Sequence, residues 1–146
     1  MEKNFRLESI LNLREHLLNR ERDKLINLKS IKEELIYRKD SINKTIEENI
    51  NELEIFKNRG KFEFITIYEN FLNNLSLKIV EIDKYLIKVD GEIDKQMKIV
   101  FEARKDKKIM EKLKENHKDS YEKLEKYLEE KFIDEINTIK YNDKKN

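Results

Sequence analysis

Apolar residues recur along most of the chain at alternating intervals of four and three residues. Stepping in this way from Leu7 to Phe56 gives fifteen positions, and ten of them are apolar. Stepping in the same way from Ile65 to Ile93 gives nine positions, and all nine are apolar or aromatic. The pattern continues less regularly to Leu128. A repeat of 3.5 residues keeps one stripe of a helix turned toward a partner helix, so it predicts a coiled-coil seam. Beyond Leu128 the stripe advances by fours, so its phase drifts there.

The two stripes are separated by the segment 58–65, in which Gly60 suits the position after a helix end that requires a positive φ. Thr66 and Glu69 form a capping box that predicts the start of the second helix at Thr66. Gly91 lies between apolar positions that stay in register on both sides, so it predicts a weak point and not a break. The predicted organisation is one coiled-coil domain, 1–146, with helix one at about 5–57, a hairpin loop at about 58–65, helix two at about 66–140 and a frayed tail at 141–146.

The fold class that follows is all-α: a long two-helix antiparallel coiled-coil hairpin with an overhanging C-terminal helix. Folding at the loop places Leu7 opposite about residue 117, so the last twenty or so helical residues have no partner helix. This overhang still carries an apolar stripe, formed by Tyr121, Leu124, Tyr127, Leu128, Phe132, Ile133 and Ile136. A protein partner would explain such a stripe. Self-association of two overhangs, or a slipped hairpin that covers them, are the alternatives.

Polar residues interrupt the seam at eight positions. They can fix the register of the two helices at some cost in stability, or bind a ligand, and register is the favoured interpretation. The eight are Arg14, Glu21, Lys32, Lys39, Asn49, Gln96, Lys107 and Lys114.

The composition of the chain argues against several classes of function. Of 146 residues 43% are charged, yet 32 basic and 31 acidic residues leave a net charge of +1, which argues against a dedicated nucleic-acid binder. There is no cysteine, and the two glycines cannot form a phosphate-binding loop. The two histidines, His16 and His117, are too far apart in sequence to suggest a metal pair. We therefore expect no enzyme activity, catalytic residue, cofactor, metal or small-molecule substrate, and a protein located in the cytoplasm, since no apolar run is long enough for a membrane span.

Charge is uneven along the second helix. Residues 95–118 contain nine Lys or Arg against four acids, whereas residues 119–135 contain seven acids against three lysines. Such a change of sign can orient a docking partner, or it can be a solvated flank of a coiled coil.

Four segments in order resemble the family of the flagellar export protein FliJ. The opening FRLESILNLRE at 5–15 resembles that family's F-x-L-x-x-[VI]-L-x-[LI]-R-E, and YENFLNNL at 68–75 is similar to its Y-x-x-[YF]-L-x-x-L. ARKDKK at 103–108, followed by EKLK at 111–114, resembles A-R-x-x-[KR]-K-x-x-E-K-L-K. EEKFIDEI at 129–136 resembles E-Q-K-x-x-D-E, with Glu130 in place of the Gln.

The resemblance implies a non-enzymatic component of flagellar type III protein export. FliJ-like proteins are stalks in the export ATPase ring that also contact the export gate and engage export chaperones, which would place this protein at the inner face of the cell membrane through its partners. Mapped onto this chain, the expected ATPase contacts are Leu124, Leu128, Phe132, Asp134 and Glu135. The expected gate contacts are Phe71, Leu72, Leu75 and Ile79, of which Leu75 and Ile79 also fit the seam.

Two other functions remain open at the level of sequence. One is the equivalent stalk of a virulence type III secretion system. The other is a structural coiled-coil spacer or homodimeric scaffold with no ATPase partner.

Overall fold

The computed structural model describes residues 6–145 and consists of two long α-helices. Helix α1 spans Glu8–Asn58, a short 3₁₀ helix spans Phe62–Phe64, and helix α2 spans Ile65–Lys145. No strand is present in residues 6–145. The predicted all-α class is therefore confirmed. The predicted start of helix one at Phe5 lies outside the described residues.

The chain forms two compact units. The first unit combines the residues up to Arg20 with those from Phe101 onward, and the second contains Glu21–Val100. Each unit therefore contains part of α1 and part of α2. The single domain expected for residues 1–146 stays a prediction.

Helix α1 ends in a Schellman motif centred on Gly60. Gly60 has φ of +73°, its N–H donates to the carbonyl of Lys57 at 3.2 Å, and the N–H of Lys61 donates to the carbonyl of Phe56 at 3.0 Å. These two bonds satisfy carbonyl groups that the helix end would otherwise leave without partners. The glycine that the sequence predicted for positive φ does adopt it, because a left-handed residue closes this motif and a side chain there would be strained.

Helix α2 starts differently from the prediction. The 3₁₀ helix leads directly into Ile65, whose N–H donates to the carbonyl of Phe62. Thr66 is thus the second residue of α2 and not a non-helical N-cap, and the helix starts one residue before the predicted start at Thr66. A 3₁₀ turn satisfies free N–H groups of a helix start through backbone bonds, so no side-chain cap is required.

The far end of α2 also differs from the prediction. The helix continues to Lys145, beyond the predicted end at about residue 140, and the fraying predicted for 141–146 stays a prediction. Asn146 lies outside the described residues. Gly91 is helical, as expected, and α2 is unbroken through it.

The core of the second unit is the predicted seam. Its buried apolar side chains all occupy seam positions: Leu53, Leu75, Ile82, Val89, Ile93 and Val100. Half-buried seam residues of α1, from Leu25 to Phe56, complete the layer, whereas residues between the seam positions are mostly exposed. Burial at a 3.5-residue period is what two helices packed along one stripe produce.

The first unit has a smaller core built from the same two stripes. Leu11 and Leu18 of α1 and Met110 of α2 are buried there, and Leu18 is only 1% exposed. Leu7, the first seam position expected on α1, is exposed. The neighbouring residues Leu13 and Leu17 lie off the stripe and remain accessible to solvent.

Seven of the eight polar seam residues are bonded to the other helix. In the second unit Lys32 and Lys39 pair with Asp90 and Asp83, each at 2.7 Å. The amide nitrogen of buried Gln96 donates to a Glu21 carboxylate oxygen at 2.6 Å and to the Glu21 backbone carbonyl at 3.0 Å. Along α1 from Glu21 to Lys39, the partners on α2 therefore run in decreasing residue number.

In the first unit, the partner of Glu8 likewise has a higher residue number than the partners of Arg14 and Glu15. Glu8 pairs with Lys114 at 2.9 Å, Arg14 with Asp106 at 3.5 Å and Glu15 with Lys107 at 3.8 Å. Asn49 is the exception among the polar seam residues, because its amide donates to the Thr45 carbonyl on its own helix at 2.7 Å. Each exposed ion pair contributes about 1 kcal/mol or less. Together, however, these pairs specify which residues of the two helices face each other. This supports the interpretation that the polar seam residues fix the register.

Replacing Gly91 with alanine should stabilise the protein. A Cβ at this position meets no atom within 4 Å, and alanine is favoured over glycine inside a helix by about 1 kcal/mol. Urea denaturation followed by circular dichroism should show a higher midpoint. Gly60→Ala is the matched control and should lower the midpoint, because φ of +73° is unfavourable for alanine. A lower midpoint for Gly91→Ala would contradict the unbroken helix.

Leu18→Ala should destabilise the protein by about 2 kcal/mol or more, since it removes a fully buried side chain. Leu17→Ala is the control: it is the same substitution on the adjacent residue, which is 36% exposed, and should have a much smaller effect. Thermal unfolding monitored by circular dichroism compares the two. Equal losses would contradict the placement of the seam.

Candidate partner-binding surfaces

The C-terminal part of α2 exposes an apolar stripe in the first unit. The terminal stripe, defined as Leu124, Leu128 and Phe132, begins at two seam positions and then advances by four residues to Phe132, and all three residues are exposed, Phe132 to 61%. The adjacent acids Asp134 and Glu135 are exposed as well. All five residues expected to contact an ATPase are therefore on an accessible surface.

The accessibility of this stripe follows from where α1 begins. Glu8 is the first residue of α1 and pairs with Lys114. From Glu122 to Lys144, every side chain of α2 is exposed except the half-buried Ile136. Seam residues thus change from buried to exposed over a few turns, at the level where α1 starts.

The second unit exposes apolar residues around the connection between its helices. Phe62, Ile67 and Phe71 are exposed and define the hairpin surface. In the same unit, the ring centroid of Phe56 lies 5.4 Å from the ring centroids of both Phe64 and Tyr68. Such tilted ring pairs add to the stability that burial gives.

The four residues expected to contact the export gate are not equivalent. Phe71 is 44% exposed, Leu72 and Ile79 are half-buried, and Leu75 is 7% exposed. Leu75 therefore occupies the seam, which the sequence also allowed, and it cannot present its side chain to a partner while α1 is packed against it. Of these four residues, Phe71 is the one best placed for contact.

Tyr68 joins the two helices near the hairpin surface. Its hydroxyl donates to a Glu52 carboxylate oxygen at 3.0 Å. This bond, together with slight desolvation and the negative charge of Glu52, raises the pKa of Tyr68 above its usual value near 10. A raised pKa means that the bond stabilises the fold fully below pH 10 and that this contribution is lost as pH rises through the higher value.

An open groove of about 1140 Å³ lies beside the start of α1 in the first unit. Leu11 and Tyr121 line it together with His117 and several glutamates and lysines. Among residues 6–145, no cluster of three or more His, Cys, Asp or Glu has a geometry that could hold a metal ion. His16 and His117 lie on different helices of this unit, and His16 is exposed.

Sequence reasoning located the terminal stripe and Phe71 near the hairpin. It missed Ile67 on the hairpin surface and the contact of Phe56 with Phe64 and Tyr68. The exposure of Ile67 could have been read from the pattern, because Ile67 lies between the seam positions Ile65 and Tyr68. The ring contacts depend on the 3₁₀ turn, which had no clear sequence signal.

Within the described part of the chain, neither helix contains a segment that is both long and apolar enough to cross a membrane.

The protein consists of two long helices whose seam fits a coiled coil. The seam leaves some apolar surfaces exposed, and such surfaces are suited to binding other proteins. The chain belongs to the flagellar FliJ protein family, whose model matches residues 2–146. This match confirms the family that the four sequence segments suggested. Comparisons with curated proteins and with solved structures give no match. Membership implies a role related to flagellar export, in which family members are in general non-catalytic components that interact with the export machinery.

Proposed function

We propose that this protein is a non-enzymatic stalk of the flagellar export ATPase ring, built as an antiparallel coiled-coil hairpin whose second helix overhangs the first. The reversed order of ion-pair partners within each unit supports the antiparallel arrangement. The observation that carries the proposal is the terminal stripe, where the apolar stripe of α2 continues beyond the buried seam and is exposed. An apolar stripe at helical spacing favours a protein partner.

In this proposal the ATPase ring binds the terminal stripe together with Asp134 and Glu135. A two-helix stalk has no sixfold symmetry, so it contacts the subunits of a six-membered ring unequally. The unequal contacts would favour ring assembly and make nucleotide turnover differ from one subunit to the next. The stalk itself supplies no catalytic group.

The hairpin surface is proposed to bind the export gate at the inner face of the cell membrane, chiefly through Phe71. Leu72 and Ile79 are partly covered by the seam, and they support the backbone that presents Phe71. Escort of export chaperones, which the family resemblance implied, is part of the same proposal. The protein would thus be cytoplasmic and reach the membrane only through its partners.

Two alternative functions can be compared with the proposed stalk. The stalk of a virulence secretion system would use the same physical features, but the family match favours the flagellar system. A homodimeric scaffold would bury the terminal stripe between two copies. Light scattering at low micromolar concentration distinguishes this scaffold from the stalk, which is monomeric in the absence of its ring.

Phe132→Asp should abolish most of the stimulation that this protein gives to its cognate export ATPase. A buried aromatic anchor at an interface typically contributes about 2 kcal/mol or more, and a carboxylate in its place would be desolvated without a partner. The measurement is the ATP hydrolysis rate of the purified ATPase as the stalk is titrated.

Tyr85→Asp is the matched control for Phe132→Asp, because Tyr85 is an aromatic residue that is 59% exposed on the same helix but lies outside the apolar stripe of the C-terminal part. It should leave stimulation nearly unchanged. Both variants must retain the helicity of the parent protein. Unchanged stimulation by Phe132→Asp would overturn the assignment of the ATPase contact.

Phe71→Asp should weaken binding to the cytoplasmic portion of the export gate while leaving ATPase stimulation intact. Leu77→Asp, also exposed on α2 of the second unit, is the control and should bind the gate normally. Surface plasmon resonance with the immobilised gate fragment measures both variants. Equal loss of gate binding and ATPase stimulation in Phe71→Asp would contradict two separate contacts.

A further inference from the structure

The side of α2 turned away from the seam carries a dense cationic surface in the first unit. We define the cationic face as Phe101, Arg104, Lys105, Lys108, Ile109 and Lys112, all of which are exposed. Their spacing of three, one, three, one and three residues places them on one side of a helix. Four positive charges and two large apolar side chains therefore share about three turns of one surface.

The four cations of this face differ from the cations beside the seam. Lys107 and Lys114 pair with acids of α1. By contrast, no ion pair or hydrogen bond within residues 6–145 joins Arg104, Lys105, Lys108 or Lys112 to another side chain.

Four acids lie near the cationic face, and none of them pairs with its cations. Glu102 and Glu115 lie three residues from Lys105 and Lys112, but neither forms an ion pair within residues 6–145. Asp106 pairs with Arg14 at 3.5 Å, and Glu111 pairs with Lys107 at 3.5 Å. Like charges four residues apart, such as Arg104 with Lys108, destabilise a helix by a few tenths of a kcal/mol. In the isolated protein, repulsion among these cations therefore lowers the stability of the helix slightly, and an anionic partner would remove this repulsion.

The shape of the face favours an apolar side chain in addition to a negative charge. A shallow trough of about 430 Å³ is lined by these six residues alone. Phe101 and Ile109 line it together with the aliphatic stems of the basic side chains, which contribute apolar surface. A trough on a helix surface accepts a side chain projecting from another helix.

Extended polyanions fit this face poorly. The same helix continues into residues 119–135, where seven acids outnumber three lysines. An anionic bilayer or a nucleic acid lying along α2 would meet these acids directly after the cations, and the repulsion would oppose binding. A ligand as short as the face itself avoids them.

A second copy of the chain also fits poorly as the occupant. Its own acidic and apolar segment is the terminal stripe region, but Phe101 and Leu128 are separated by about 7.5 helical turns and so lie on opposite sides of α2. Copies joined through these two sides would add head to tail without closing into a defined oligomer.

We propose that the cationic face is a docking site for an acidic amphipathic helix of another protein, with an apolar side chain in the trough and carboxylates on the four cations. Charge complementarity selects the acidic partner, and exposed Phe101 and Ile109 provide apolar contact. This site shares no residue with the ATPase and gate contacts proposed above, so it is independent of them.

The test uses the full-length protein and a synthetic amphipathic helix of about 18 residues, which is longer than the three turns of the face. The probe carries leucine on one side and glutamate on the others, and it is labelled for fluorescence anisotropy. We expect saturable binding that weakens as salt is raised. A matched peptide with lysine in place of glutamate should not bind.

Substitutions then locate the binding site. Lys105→Glu combined with Lys108→Glu should weaken binding at least about tenfold, and Phe101→Ser should weaken it severalfold through loss of apolar contact. Lys123→Glu combined with Lys126→Glu changes two other exposed lysines of α2 and serves as the control, with affinity close to that of the parent. Circular dichroism must show unchanged helicity in each variant.

Several results would overturn the proposal. They are absence of binding, equal binding by the charge-reversed face variant, and no effect of Phe101→Ser. Tighter binding to vesicles rich in phosphatidylglycerol, or to duplex DNA, would assign the face to a membrane or a nucleic acid instead. The protein alone could also self-associate. If Lys105→Glu combined with Lys108→Glu abolishes that association, the cationic face would be assigned to a second copy of the chain. ATPase stimulation by the face variants should remain normal, which separates this test from that of the stalk function.

Discussion

The packing of one apolar stripe of α1 against one stripe of α2 is the interaction on which each unit of this protein depends. Each helix buries side chains along a single stripe, and nearly every other side chain is solvated. A fold of this kind has a thin core, so single buried positions such as Leu18 matter more than they would in a globular domain. The many charged residues on the remaining surface keep the helices soluble without contributing much to stability.

A uniform apolar stripe has a specific weakness, because two such stripes can slide by a heptad and still bury similar surface. The polar residues in the seam counter this. Buried Gln96 satisfies its amide by bonding to Glu21, and a slipped register would leave that amide buried without its partner. The seam lysines meet acids at defined positions on the other helix, so each pair adds little energy but opposes every alternative alignment.

The same constraint explains where binding surfaces arise. A seam residue is buried only where a second helix faces it, and Leu124 and Leu128 keep the seam pattern in a part of α2 whose side chains are exposed. The hairpin surface has a different origin. The Schellman motif and the 3₁₀ turn need only a few residues to join the helices, and they direct Phe64 onto Phe56 while Phe62 stays exposed. The cationic face has a third origin, because it lies opposite the seam, where packing imposes no restriction on residue type.

The sequence by itself determined the helices, the seam and the positive-φ glycine. Those features depend on local geometry: a period of 3.5 residues, the absence of proline and the special conformational freedom of Gly60. It also identified the family, through four short segments in the right order. It did not determine how α2 starts, because a 3₁₀ turn and a side-chain cap satisfy the same N–H groups and the capping-box sequence Thr66–Glu69 is compatible with both. Nor could it decide whether Leu75 is a contact or a core residue, since an apolar residue at a seam position has the same pattern in either role. Only the tertiary structure decided those points, because they depend on which side chains another part of the chain approaches closely enough to cover.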